Sequence, residues 1–258
     1  MDRKNKRKIF ELLAGTFETY DFREYYLDMC EEIPDYIFTM PASTSGKYHN
    51  AEQCQQFGQL YHIFMFHSIL EHLLRLEGNQ KIYNTPQIRD AMRCVPAFHD
   101  AVKCGWNGSL HTVQNHPILA AEWVLNTDVP HKIDQVYRKG IADMCEAHSG
   151  QWNTNRSGVE IMPKPRNDAE MLIHECDILA SRPDLNWVIT PELKALLGDS
   201  DTTGAEPVTA ENLVLTFGKH KGETLAAVFA VAPDYVEWLA ENFDREPVKS
   251  LAKGLVET

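Results

Sequence analysis

Four histidines and two aspartates, His62, His99, Asp100, His116, His148 and Asp177, form an ordered H…HD…H…H…D series spread over half of the chain. Helical periodicity aims most of them inward. Between Leu60 and Leu76, His62 shares a face with Met65, Phe66, Ile69, Leu70 and Leu73, at offsets of three, four, seven, eight and eleven residues. His148 follows Tyr137, Ile141, Met144 and Cys145 on one face, His99 lies four and seven residues beyond Val95 and Met92, and Ile173 and Ala180 flank Asp177. A carboxylate aimed into apolar surroundings costs several kcal/mol unless something pairs with it. Several such groups on separate helices are most simply reconciled by shared cations, so the spacing predicts helices whose polar residues converge.

The donor types narrow the chemistry. Imidazole nitrogen together with carboxylate oxygen suits borderline divalent ions such as Mn, Fe, Co or Zn, whereas all-oxygen sites suit Mg or Ca and thiolate sites suit structural Zn. The expected cofactor is therefore one or two divalent ions (Mn, Co, Fe, Zn or Mg), in a site that is catalytic rather than structural. The six cysteines, Cys30, Cys54, Cys94, Cys104, Cys145 and Cys176, contain no C-x-x-C pair and read as reduced core thiols.

With 258 residues, 43% of them hydrophobic, the chain is long enough for one sizeable core and a small second unit. No run approaches the apolar length of a membrane span, and Met1-Asp2-Arg3-Lys4-Asn5-Lys6-Arg7-Lys8 lacks the apolar core of a signal peptide, so cytoplasmic placement without membrane contact is expected. A formal charge of −12 opposes nonspecific attraction to phosphate backbones. A small substrate fits that balance better than long duplex DNA.

Helical patterns run over about 4–19, 21–31, 51–77, 86–101, 117–126, 132–148, 167–182 and 190–197, which predicts a mainly α fold. Pro117 is a first-turn signal that sets His116 at the mouth of a helix. Residues 152–166 read as a loop able to cover the site. Residues 198–212 hold four acids, three Gly or Pro breakers and no aromatic, which is linker composition, so the expected domains are 1–197 and 213–258. In the second, Leu213–Phe217 alternates like a short strand, Gly218–Gly222 reads as a turn into another strand, and Pro233–Phe243 looks helical, making a small α+β module.

Set side by side, Ser45-Gly46-Lys47-Tyr48-His49, Leu60-Tyr61-His62, Phe98-His99-Asp100-Ala101-Val102-Lys103, Asn115-His116-Pro117, Ala147-His148-Ser149-Gly150-Gln151-Trp152 and Asp177-Ile178-Leu179-Ala180 resemble the HD-domain metal-dependent phosphohydrolases. The likeness covers about residues 40–185. It implies an all-helical bundle with His62, His99, Asp100 and Asp177 as metal ligands, His116 and His148 completing a second position, and hydrolysis of phosphate esters, frequently of nucleotides. Many members read H-D-I-G-K, so Lys103 is matched here and the small residue before it is not. The stretch Thr216-Phe217-Gly218-Lys219-His220-Lys221-Gly222-Glu223-Thr224-Leu225, followed by Asp234-Tyr235-Val236-Glu237-Trp238-Leu239, resembles the exodeoxyribonuclease X-like C-terminal module, also found in short phage and bacterial proteins.

The expected activity is a 5′-(deoxy)nucleotide phosphomonoesterase. Asp100 would bridge two cations, and Lys103, three residues on and on the same face if the helix continues, would neutralise a phosphoryl oxygen. Lys47 and His49 would assist or protonate the leaving oxygen. Gln151 and Trp152 would hold the nucleoside by hydrogen bond and stacking. Two alternatives stand beside it: an HD-type di-iron oxygenase, and a non-catalytic adaptor whose C-terminal module recruits DNA or a replication partner while the helical domain senses a nucleotide. Partners are thus a small nucleotide and, against the charge balance, nucleic acid; the oligomeric state is left open.

Overall fold

The computed structural model describes residues 1–42, 57–109, 111–155, 157–185, 190–197, 209–211, 213–215, 218–243 and 248–257. These residues form twelve α-helices, one 3-10 turn and almost no strand, a mainly α protein in two compact units, Met1–Gly198 and Asp199–Thr258. No helix among them is long and apolar enough to cross a membrane.

The first unit opens with α1 (Arg3–Ala14) and α2 (Tyr20–Glu31), then the 3-10 turn Asp35–Phe38. The Asp2 carboxylate starts α1 by accepting from the Asn5 amide. The pattern that suggests a helix to residue 19 breaks at Gly15, because the buried Asp90 carboxylate captures the amides of Glu18 and Thr19 at 3.0 and 2.8 Å. Next come α3 (Gln59–Leu74), which ends before the expected residue 77, and the short α4 (Glu77–Ile82), which periodicity does not mark. α3 starts where Gly58 takes φ +57, against a wall where a Cβ would lie 3.0 Å from the Met40 carbonyl oxygen. The expected residues 51–56 of that helix lie outside the described ones.

α5 (Pro86–Phe98) is the axis of the unit. It packs against α2, α3, α7 (Gln135–Ala147) and α8 (Asp168–Ala180), and every residue from Asp90 to Phe98 is buried. Phe98 stacks on Tyr26 at 5.7 Å and meets the edge of Trp123 at 5.3 Å, joining α2, α5 and α6 (His116–Asn126). The Thr85 hydroxyl caps α5 and Pro86 opens it. At the other end, Pro96 denies the Met92 carbonyl its helical donor. Beyond Phe98 the chain tightens into i→i+3 turns, with Lys103 N–H to Asp100 O at 2.9 Å and Gly105 N–H to Val102 O at 2.8 Å, so α5 stops before the expected residue 101. α9 (Pro191–Leu197) returns to pack on α1. All five described cysteines are free and buried; Cys54 lies outside the described residues.

The second unit is α10 (Leu225–Val231), α11 (Pro233–Asn242) and α12 (Val248–Val256) around Leu215, Leu225, Val228, Val236, Leu239 and Ala252. The expected strand pair reduces, among the described residues, to one antiparallel bridge between Val214 and Thr224. The Thr224 hydroxyl accepts from the Ala227 amide and begins a helix where a second strand would have run. Of the stretch expected as linker, 198–208 and 212 lie outside the described residues. Ala210 is buried in the second core, and its carbonyl accepts from the Ala226 amide at 2.8 Å.

Candidate metal centre

Five elements deliver polar side chains to one buried place in the first unit. The first turn of α3 carries Gln59 and His62; His99 caps the end of α5, with Asp100 in the following turn; His116 opens α6, His148 closes α7, and Asp177 sits in the last part of α8. His62 Nε2 lies 3.0 Å from Asp177 Oδ1 and 3.2 Å from His99 Nε2. His116 Nε2 lies 3.1 Å from Asp100 Oδ1 and 3.3 Å from His148 Nε2. Asp100 spans both sets, with Oδ2 3.3 Å from His99 Nε2 and Oδ1 3.8 Å from His148 Nε2.

The outward nitrogens fix the inward ones. His99 Nδ1 lies 3.0 Å from the Pro96 carbonyl, His116 Nδ1 2.9 Å from that of Val113, and His148 Nδ1 2.7 Å from that of Cys145. A carbonyl only accepts, so each Nδ1 carries the hydrogen, and in the neutral ring each Nε2 presents a lone pair. Where two such lone pairs face each other, as at the 3.3 Å contact of His116 with His148, they repel unless a proton or a cation lies between them. Burial favours the neutral rings of His62 and His148, pushing the latter down to about 3. Burial opposes the charged form of His99 too, but the adjacent Asp100 outweighs it and the net direction is up. Burial also resists ionisation of both aspartates. Even so, Lys103, His99 and His116 hold Asp100 well below the usual carboxylate range, and His62 does the same for Asp177.

This donor set fits a divalent cation. His62, His99 and Asp177 form one group, and His99, Asp100 and His148 another, each offering atoms within 4.8 Å of one another. Ligands about 2.1 Å from a common ion stand up to about 4 Å apart, so small rotations of these side chains satisfy either group. Nitrogen and carboxylate oxygen without thiolate select a borderline ion.

Lys103 reaches Asp100 by the turn rather than by the expected helical continuation: its ammonium donates to Asp100 Oδ2 at 2.6 Å and to the Ala42 carbonyl at 2.9 Å. Lys47 and His49 lie outside the described residues. Gln151 is exposed. Trp152 is 52% exposed, and its ring meets that of His174 at 6.1 Å.

Two residues escaped the sequence reading. Gln59 is buried, and its amide donates to Asp100 Oδ2 beside Lys103. His174 lies 2.7 Å from the His148 carbonyl through Nδ1, and its ring fills the space beside Gly150, whose φ is +52 and where a Cβ would lie 2.1 Å from the imidazole. Each stands three residues before a charted position, Gln59 before His62 and His174 before Asp177, so the same helical spacing could have found both.

A family model described as Exodeoxyribonuclease X-like C-terminal matches residues 215–244, inside the second unit. No curated protein and no solved structure matches the chain.

Proposed function

We propose that the first unit is a metal-dependent phosphohydrolase of the HD-domain type, a phosphomonoesterase acting on 5′-(deoxy)nucleotides. The observation that carries this reading is the pair of facing Nε2 contacts, His62 with His99 and His116 with His148, each beside an ionised aspartate. His62, His99 and Asp177 would hold one ion, and Asp100, His116 and His148 a second. Divalent ions held there supply Lewis acidity toward a phosphoryl oxygen and a water of lowered pKa.

The chain's own residues do the rest. Gln59 and Lys103 grip one oxygen of Asp100 and leave the other aimed at His116 and His148. The Lys103 ammonium, part-exposed at the edge of the cluster, stands ready to neutralise a non-bridging phosphoryl oxygen as charge builds there. Trp152, braced by His174, offers an exposed face for a nucleobase, and Gln151 beside it offers an amide. Lys47 and His49, 15 and 13 residues before His62 in sequence, are assigned to the leaving oxygen by the resemblance of their motif. The exodeoxyribonuclease in the description of the model matching residues 215–244 supports a nucleotide or nucleic-acid setting for the whole chain.

The test is phosphate release from a panel of ribo- and deoxyribonucleoside 5′-monophosphates with Mn, Co, Fe, Zn or Mg supplied. Release is expected with at least one ion, and Asp100→Asn should lower it at least about 10³-fold, several kcal/mol of transition-state stabilisation. Absence of release from every phosphate ester with every ion ends the reading.

A further inference from the structure

The second unit carries an aromatic and cationic surface that its own core does not use. Its loop Gly218–Gly222 packs on the start of α11: Gly218 takes φ +70, and a Cβ there would lie 2.2 Å from the Tyr235 hydroxyl. Lys219 Nζ lies 5.1 Å from the centroid of the Tyr235 ring, and the His220 ring meets it at 5.0 Å. One turn along α11, the Trp238 ring lies within 17° of parallel to Tyr235, 6.3 Å away. Tyr235 packs against the small core, but Trp238 does not belong to it and is 51% exposed. Lys219, over the Tyr235 ring, and Lys221, two residues on in the same loop, are both exposed. A tryptophan left half in water at a basic turn contributes little to the fold of a unit this small.

We infer that this surface binds single-stranded nucleic acid, with a base stacked on Trp238 beside Tyr235 and adjacent phosphates met by Lys219 and Lys221. A nucleobase is flat, apolar on its faces and linked to an anion on either side, which is the complement of an exposed flat ring near a loop that carries two ammonium groups. The acids nearby set its extent. Glu223 pairs with His220 at 3.1 Å, while Asp234, Glu237 and Glu241 are exposed on α11, so among the described residues there is no long basic track. With the chain's charge at −12, a duplex-length contact is disfavoured and a footprint of a few unpaired nucleotides, as at a strand end, is what the surface accommodates. The inference concerns the second unit and stands apart from the metal centre.

The experiment is fluorescence anisotropy of labelled oligothymidylate, oligouridylate and a blunt duplex with the full chain, in EDTA at about 50 mM salt, where phosphate contacts are strong. Single strands of either sugar are expected to bind more tightly than the duplex. Trp238→Ala should weaken them at least about fivefold and Trp238→Phe should restore most of the loss, as base stacking requires. The double variant Lys219→Gln and Lys221→Gln should flatten the salt dependence, and Asp100→Asn should bind like the parent. Equal affinity for duplex and single strand, unchanged binding by Trp238→Ala, or no binding at all overturns the inference.

Discussion

Helices α3 and α5 each carry two kinds of buried polar residue, and the two clusters resolve their burial in opposite ways. Toward one end, Arg93 donates to Glu71 at 2.6 Å and to Glu18 and Asp90 at 2.8 Å, while Asp90 also collects the amides of Glu18 and Thr19 and the Thr19 hydroxyl. Donors there match acceptors, and the network closes on itself. Toward the other end, His62, His99, His116 and His148 crowd their Nε2 atoms against one another and against two carboxylates. Lys103 and Gln59 reach only one oxygen of Asp100. A buried cluster rich in acceptors is stable only with a cation added, whereas one that balances internally holds the fold. Charge accounting, more than burial, separates the structural network from the candidate centre.

The hardest test of that contrast removes one member from each side. Arg93→Met strands the buried Asp90 without its counter-charge, leaves Glu71 only the exposed Arg75 at 3.7 Å, and should cost about 3–5 kcal/mol, read as a lower urea midpoint. His62→Gln in EDTA should cost clearly less, because it thins the crowded imidazoles while its amide can still donate to Asp177. If the two variants lose equal stability, the histidine cluster is structural and the comparison fails.

Adding ions sharpens it further. An ion at about 100 times its dissociation constant raises stability by about 2.7 kcal/mol. Mn, Co or Zn should therefore raise the unfolding temperature of the parent relative to EDTA. Asp177→Asn should abolish the increment, and Arg93→Met should retain it on a lower baseline. No ion-dependent shift in the parent would leave the facing imidazoles without the cation that explains them.

How far these features could be read beforehand depends on whether they are local. His62 and His148 are buried, and Asp177 faces the cluster, as apolar positions three and four residues away indicated. The mainly α fold was equally visible, since periodicity is a property of consecutive residues. The Arg93 network was not, because Glu18 and Asp90 lie 72 residues apart and charges on a helix ordinarily read as a solvated face. Gln59 was passed over because an amide announces no chemistry until the carboxylate it holds is located. The second unit misled in another way. Alternation over Leu213–Phe217 carries the strand signal, but the Thr224 cap and the Ala-rich run after it commit the next residues to α10. Lys103 came to Asp100 for a reason periodicity misstated, through a turn set up by Pro96 and Gly105.

The smallest expected effect concerns His67, which lies in α3 between the two clusters in sequence and belongs to neither. It is buried, its Nε2 stands 3.0 Å from the Thr16 hydroxyl, and burial first, then the charge of Arg93, push its pKa down to about 3. An unfolded histidine takes up its proton near pH 6.5. The unfolded chain therefore binds a proton between pH 6.5 and 3 that the folded chain refuses. Stability from this residue is complete above 6.5 and declines as the pH falls, by at most about 1.4 kcal/mol per unit. His67→Gln keeps a polar partner for Thr16 and removes the titration. Urea midpoints in EDTA from pH 7.5 to 5 should fall less steeply for this variant than for the parent. The metal-site imidazoles titrate alike in both proteins, so they cancel in the difference. Equal slopes would mean that His67 is protonated inside the fold, and a charge beside Arg93 would then have to be balanced by that network, which would no longer close on itself.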